Sequence, residues 1–197
     1  MQSIERLARA IESYRQRYPE EAARVKRFQN LLSDGVAAFR RGRREGHFTA
    51  SAWVVDEMGE RLLLVHHRKL DKWLQPGGHA DGELDLLRVA QKEVREETGV
   101  ETVAPSWSAV FDIDIHPIPA RGAVPGHEHF DVRYVLVAPG RQEPIGNDET
   151  HGAQWVELEL LEGYTVEESI LRMRRKWEET RLHPGGDESG ARTAGYP

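Results

Sequence analysis

The chain has 197 residues, 39% hydrophobic and 30% charged, with no cysteine; this suits one globular domain with an extension and excludes disulfides, thiolate zinc sites and a cysteine nucleophile. No window approaches the roughly 18 consecutive apolar residues of a membrane span, and the opening residues carry Glu5, Arg6 and Arg9 without an apolar secretory core, so a cytoplasmic setting is expected. The net charge of −6 is uneven: residues 1–46 hold eleven Lys and Arg against six Asp and Glu, leaving an acidic body that disfavours duplex nucleic acid and suits the capture of divalent cations.

Ile4, Leu7, Ala8 and Ile11 recur at helical spacing, and Tyr14 and Tyr18 continue the stripe. After Pro19, the residues Val25, Phe28, Leu32, Val36 and Phe39 predict a second amphipathic helix, and Arg40 to Gly46 reads as a linker. Such a helical pair packs on the main domain or makes a homodimer contact, and the sequence leaves both open. The expected organisation is a helical extension over 1–46, a main domain over 47–180 and a flexible tail over 181–197.

Within the main domain, His47 to Val55 and Leu62 to His66 read as strands joined by a turn at Gly59. Trp73 to Glu83 reads as a glycine-rich loop, followed by a helix from Leu86 to Thr98 that Gly99 terminates. Trp107 to Ile115, Phe130 to Ala138 and Gln154 to Leu158 read as further strands. Thr165 with Glu168 forms a capping-box pattern opening a last helix that runs to about Thr180.

Glu93, Glu96 and Glu97 lie within about 100° of one another on the third helix. They border the apolar face of Leu86, Ala90 and Val94, while Arg88, Gln91, Lys92 and Arg95 take the opposite side. Three carboxylates so placed repel one another and lose hydration near a core. A hard divalent cation with oxygen ligands, Mg²⁺ or Mn²⁺, offsets both effects; an exposed acidic patch is the alternative. The preceding run from Pro76 to Gly82 holds Gly77 and Gly78, which let the backbone approach an ion or phosphate closely.

Gly78 to Val100, reading GHADGELDLLRVAQKEVREETGV, resembles the Nudix box. Gly78, Glu93, Val94, Glu96, Glu97, Gly99 and Val100 fall on its pattern without a gap. Two positions depart: Leu84 stands where the box has its first Glu, and Lys92 stands for its Arg. In the family those two side chains pair and brace the loop against the helix, so the change implies a lost brace. The resemblance covers roughly residues 48–160. It points to a branch of unassigned substrate with D-x-H-x-I-P and then H-x-H-x-D after the box, here Asp114, His116, Ile118, Pro119, His127, His129 and Asp131.

The resemblance implies an α/β fold, the Nudix α/β/α sandwich with a mixed sheet, preceded by the helical extension. It implies hydrolysis of a phosphoanhydride in a small nucleoside-diphosphate-linked substrate. Glu93, Glu96 and Glu97 would be metal ligands, with the Gly77 carbonyl a fourth. Glu149, with Asp148 second, is the candidate for a later-loop ligand or general base. Gly77, Gly78, His79 and Arg133 are candidates for touching substrate, although His79 equally braces the turn and Arg133 equally pairs with Asp131. His116, His127, His129 and Asp131 are a candidate second metal site, since the last three point to one side of an extended stretch. A non-catalytic nucleotide-binding sensor on the same fold is the rival reading. An isoprenoid-type isomerase is disfavoured by the absence of cysteine.

Overall fold

The computed structural model describes residues 2–105, 109–122 and 124–182. Helix α1 spans Gln2–Arg17 and α2 spans Ala22–Leu32; the strands are β1 (Gly46–Asp56), β2 (Arg61–His67), β3 (Lys72–Leu74) and β4 (Gly77–His79). Helix α3 (Leu86–Thr98) follows, then β5 (Asp112–Ile118), β6 (His127–Ala138), β7 (Thr150–Glu157) and α4 (Glu168–Leu182).

The seven strands form one sheet in the order β3-β2-β1-β6-β5, with β4 added to β1 and β7 to β2. β1 and β6 run parallel from Gly46 opposite Glu128 to Asp56 opposite Ala138, while the other pairings are antiparallel, so the sheet is mixed. Side chains alternate across a strand, and β1 shows what each face holds. Phe48, Ala50, Ala52 and Val54 join a core with α1, α2 and α3. Trp53 and Val55 join a second core against Ile170, Met173 and Trp177 of α4. This is the expected α/β/α sandwich.

The amphipathic helices at the start of the chain pack on the sheet. Ile11, Tyr14, Val25 and Phe28 are wholly buried in the same core as Phe48 and Phe130, which resolves the question of where their apolar faces go. The second helix is shorter than its periodicity predicts. Gly35 takes a left-handed φ of +61°, which ends α2 and leads into a 3-10 turn over Gly35–Phe39; Val36 is exposed as a result.

Three further boundaries differ from the sequence reading. The stretch read as a loop contains β3 and β4, because Gly77 and Gly78 pair with Ser51 and Ala50 of β1. The strand expected from Trp107 is described only from Asp112, and Trp107 itself lies outside the described residues. The Thr165 hydroxyl accepts from the Glu167 N–H at 3.3 Å, and Glu168 pairs with Arg175, so the reciprocal box with Glu168 does not form. The expected tail lies outside the described residues from 183 onward. Among the described residues no helix is long and apolar enough to cross a membrane.

Candidate active site

Helix α3 is fixed at both ends. The Asp85 carboxylate accepts from the Arg88 N–H at 3.3 Å, and Gly99 closes the helix at φ +68° with its N–H on the Arg95 carbonyl. Val89, Ala90 and Val94 anchor the inner face, so Glu93 and Glu97 are carried to the rim of the core beneath strand β4.

The two glycines of β4 bear directly on those acids. Gly77 N–H donates to a Glu97 carboxylate oxygen at 3.0 Å. A Cβ on Gly78 would overlap the Glu93 carboxylate, and one on Gly77 would overlap Ser51 and the Ala50 carbonyl. Only glycine admits this closeness of backbone to acid. Burial pushes the Glu97 carboxyl up to about 7; the Gly77 N–H opposes that rise, while the charges of Glu93, Glu149 and Glu96 add to it. Glu93 is raised from the ordinary carboxylate value by burial, with Lys92 opposing.

The two positions that depart from the box pattern have separate fates. Leu84 is partly buried against the main core, where an acid would lose its hydration. Lys92 has no brace to make and reaches Glu96 at 2.9 Å and Glu93 at 3.2 Å.

Glu149 is brought to the same region by the turn before β7. The Asn147 amide donates to the Glu96 carbonyl at 3.2 Å, tying the turn to α3. Asn147 also accepts from the Glu149 N–H at 2.9 Å, and the Glu149 carbonyl accepts from the Arg68 N–H at 3.0 Å. The exposed Glu149 carboxylate is close enough to influence Glu97, His79 and Arg41. Asp148 is exposed on the same turn.

The histidine constellation differs from its sequence outline. Asp131 is buried, accepting from Thr49 at 3.0 Å, Ser51 at 2.6 Å and Arg133 at 2.8 Å. His116 takes a hydrogen bond from Arg133 at 3.0 Å. Neither joins a metal-like cluster, because both serve the guanidinium beside them. Among the described residues, the one group of three His, Asp or Glu side chains with ligand atoms all within 4.8 Å of one another is His47, His127 and His129. His79 packs on this trio, its ring 4.7 Å from that of His129 and 5.2 Å from that of His47. Burial, followed by neighbouring rings and charges, lowers His79, brings His47 down to about 4 and His129 to about 3, so these imidazoles are neutral at pH 7.

Arg133 is not at a phosphate-facing surface. It is 0% exposed and holds Asp131 at 2.8 Å, Asp112 at 3.0 Å and Asp114 at 3.2 Å. Asp112 also binds Arg172 at 2.8 Å and Lys176 at 2.7 Å. Sequence reasoning named Arg133 but missed Asp112, Arg172 and Lys176, because only the β5–β6 register and the packing of α4 bring them together. It missed His47 for the same reason: the parallel register sets His47 opposite His129, far away in sequence.

A NUDIX domain model matches residues 46–175. The m7GpppN-mRNA hydrolase NUDT17 of Xenopus laevis is 28% identical over 123 residues, covering 55% of this chain and 41% of that protein. The chain thus spans about two fifths of the length of that curated relative. Among solved structures, the MutT protein from Methanosarcina mazei Go1 superposes with a TM-score of 0.51 at 19% identity, covering 71% of this chain and 97% of that one. A C. elegans Ap4A hydrolase gives 0.50 at 16% identity, covering 68% and 97%. These two likenesses concern the fold.

Proposed function

The chain belongs to the NUDIX family, and from that premise we propose that it is a divalent-metal-dependent pyrophosphohydrolase that cleaves a phosphoanhydride bond in a nucleoside-diphosphate-linked or similar polyphosphate substrate. One observation carries the reading. The Glu97 carboxyl, pushed up to about 7, lies against the Gly77 N–H and is influenced by Glu93, Glu96 and Glu149. Half-buried Glu93 and Glu97 under a glycine strand, with the exposed Glu96 and Glu149 beside them, repel one another in a way that a divalent ion offsets.

The donor set fits Mg²⁺ or Mn²⁺, since every candidate ligand is an oxygen. Glu93, Glu96 and Glu97 would hold the ion, with the Gly77 carbonyl as a fourth donor. When bound, such an ion neutralises phosphate oxygens and makes a coordinated water more acidic. The protein's own part is positional. Gly77 and Gly78 keep the backbone close to the acids and leave room for phosphate; the Gly77 N–H orients Glu97. Glu149, on an exposed turn pinned to α3, is the base we assign to take the proton from the attacking water. His79, next to Gly78, braces the strand and borders the substrate path. Little covalent work is asked of the side chains, so charge stabilisation and alignment supply most of the rate.

The relative acting on m7GpppN-mRNA supports a nucleotide-like substrate, and the cysteine-free composition supports work in the cytoplasm. Lys92 favours a second reading, a nucleotide-binding sensor, because its ammonium already engages Glu93 and Glu96.

The deciding experiment measures phosphate or nucleotide release from a panel of dinucleoside polyphosphates, nucleotide sugars, ADP-ribose and capped nucleotides with Mg²⁺ or Mn²⁺. The expected result is turnover of at least one member and a loss of at least ~10²-fold in Glu97→Gln without loss of folding. Binding without turnover supports the sensor, and unchanged activity in Glu97→Gln removes the assignment.

A further inference from the structure

The second residue of strand β1 is a histidine that no part of the proposed hydrolysis uses. His47 is 1% exposed, and neither of its ring nitrogens makes a well-formed hydrogen bond among the described residues, although the Arg43 backbone lies close enough to act weakly on the ring. A buried imidazole ordinarily satisfies its N–H and its lone pair. Here its neighbours are other imidazoles: His127 stacks at 5.2 Å, and His129 lies 4.9 Å away.

We propose that His47, His127 and His129 form a binding site for one borderline transition-metal ion of the Zn²⁺ class, separate from the glutamate site.

The hydrogen bonds around His127 carry the argument. Its Nδ1 faces the Pro125 carbonyl at 3.0 Å. A carbonyl only accepts, so in the neutral ring Nδ1 holds the proton and Nε2 presents a lone pair. That arrangement, one nitrogen donating to a backbone carbonyl and the other free, is how ligating histidines are oriented. The free Nε2 lies 3.2 Å from Nε2 of His129. Two nitrogens on a tetrahedral ion with Zn–N bonds of about 2.0–2.1 Å are about 3.3 Å apart. Without an ion, the same contact is a hydrogen bond from one tautomer of His129, and that leaves both nitrogens of His47 unmatched. An ion gives His47 a partner as well.

Three imidazole nitrogens suit Zn²⁺ and its neighbours in the transition series and do not suit Mg²⁺, which prefers oxygen and keeps its waters. The scaffold is rigid, since His127 and His129 are alternate residues of β6 and His47 lies opposite His129 on β1. An entry path exists: a cleft of about 420 Å³ lined by Arg41 to Arg44, Val124 and Pro125 opens on His127. Its positive charge is moderated, because Arg41 pairs with Asp81 and Arg43 with Asp34 at 2.7 Å. His79, packed on two of the rings, is the nearest side chain to supply a fourth ligand.

The test uses the untagged full chain, stripped of metal by a chelator, and titrates it with Zn²⁺ by calorimetry in the presence of excess Mg²⁺. Co²⁺ absorption serves as a second readout of tetrahedral nitrogen ligation. One equivalent of Zn²⁺ is expected to bind despite the Mg²⁺. Glu97→Gln is expected to retain that binding, and His127→Gln, at the least enclosed position, to weaken it by at least ~10²-fold. His129→Gln is expected to behave likewise. The proposal is overturned if the wild-type chain takes up no Zn²⁺, if Mg²⁺ or Glu97→Gln abolishes uptake, or if folded His127→Gln binds as tightly as wild type. Should both histidine variants unfold, the wild-type competition and Glu97→Gln still decide.

Discussion

The Lys92 ammonium lies 2.9 Å from a carboxylate oxygen of Glu96, one helical turn away, and 3.2 Å from Glu93. As an exposed i,i+4 pair it stabilises the helix by no more than about 0.5 kcal/mol. Its effect on a cation at the same carboxylates is larger. A unit charge about 4 Å from a divalent ion opposes it by about 2 kcal/mol even in water, which is about 30-fold in affinity. Lys92→Met is therefore expected to tighten Mn²⁺ binding by up to about 30-fold with little change in melting temperature. Calorimetry on the two chains checks this, and an unchanged or weaker affinity would show that Lys92 does not compete.

The neighbouring glycines separate stability from ion binding. At Gly78 an added methyl meets the end of the Glu93 side chain, which can swing away. Gly78→Ala is expected to cost less than about 1 kcal/mol of stability while weakening Mn²⁺ binding at least ~10-fold, because Glu93, a proposed ligand, is displaced. At Gly77 the methyl meets Ser51 and the Ala50 carbonyl on β1, and the central strand has no room to yield. Gly77→Ala is expected to cost about 1–3 kcal/mol in urea unfolding. Equal stability losses in the two variants would refute the distinction.

The contrast between these sites explains what could be read in advance. Glu93, Glu96 and Glu97 sit at local spacings on one helix, so periodicity alone places them together, and Gly99 marks the helix end within the same window. The Gly77–Glu97 contact needs only a short return of the chain. His47 and Arg133 are different. Their partners are set by a parallel pairing of β1 with β6 and an antiparallel pairing of β6 with β5, and nothing local encodes which strands become neighbours. His116 and Asp131 matched a sequence pattern well, yet Arg133 takes the first through a hydrogen bond and the second through an ion pair. Helix α2 misled in a smaller way: its stripe continues past Leu32, but one left-handed glycine outweighs it.

Asp112 gives a test in pH. Burial alone would raise its pKa, but Arg133, Arg172 and Lys176 more than compensate and hold the carboxyl well below the ordinary carboxylate range. A depressed folded value means the unfolded chain binds the proton more readily, so the stabilisation is present above the unfolded value near 3.8 and is lost as pH falls through the lower folded value. Asp112→Asn leaves the buried Arg133 and Lys176 and the part-buried Arg172 short of an anion and is expected to cost about 3–5 kcal/mol at pH 7. The gap between variant and wild type should narrow at pH 3. Urea midpoints at both pH values measure it, and a constant gap would mean that the charge of Asp112 is not what stabilises the fold.

Removal of residues 1–42 tests whether the first two helices belong to the domain. Ile11, Tyr14, Val25, Phe28 and Phe39 are each 0% exposed and share one core with Phe48 and Phe130. The Phe28 ring lies 5.3 Å from Phe130, and the Phe39 ring lies 4.9 Å from Phe48. Each large side chain contributes about 1.5–3 kcal/mol by burial, so five together match the whole 5–15 kcal/mol stability of a typical domain. The shortened chain is therefore expected to lose its cooperative melt and to aggregate, since Phe48 and Phe130 become exposed on the sheet. Phe28→Ala in the full chain is expected to cost about 3–5 kcal/mol. If the shortened chain melted at the full-length temperature, the sheet, α3 and α4 would be a self-sufficient unit and the first two helices an attachment.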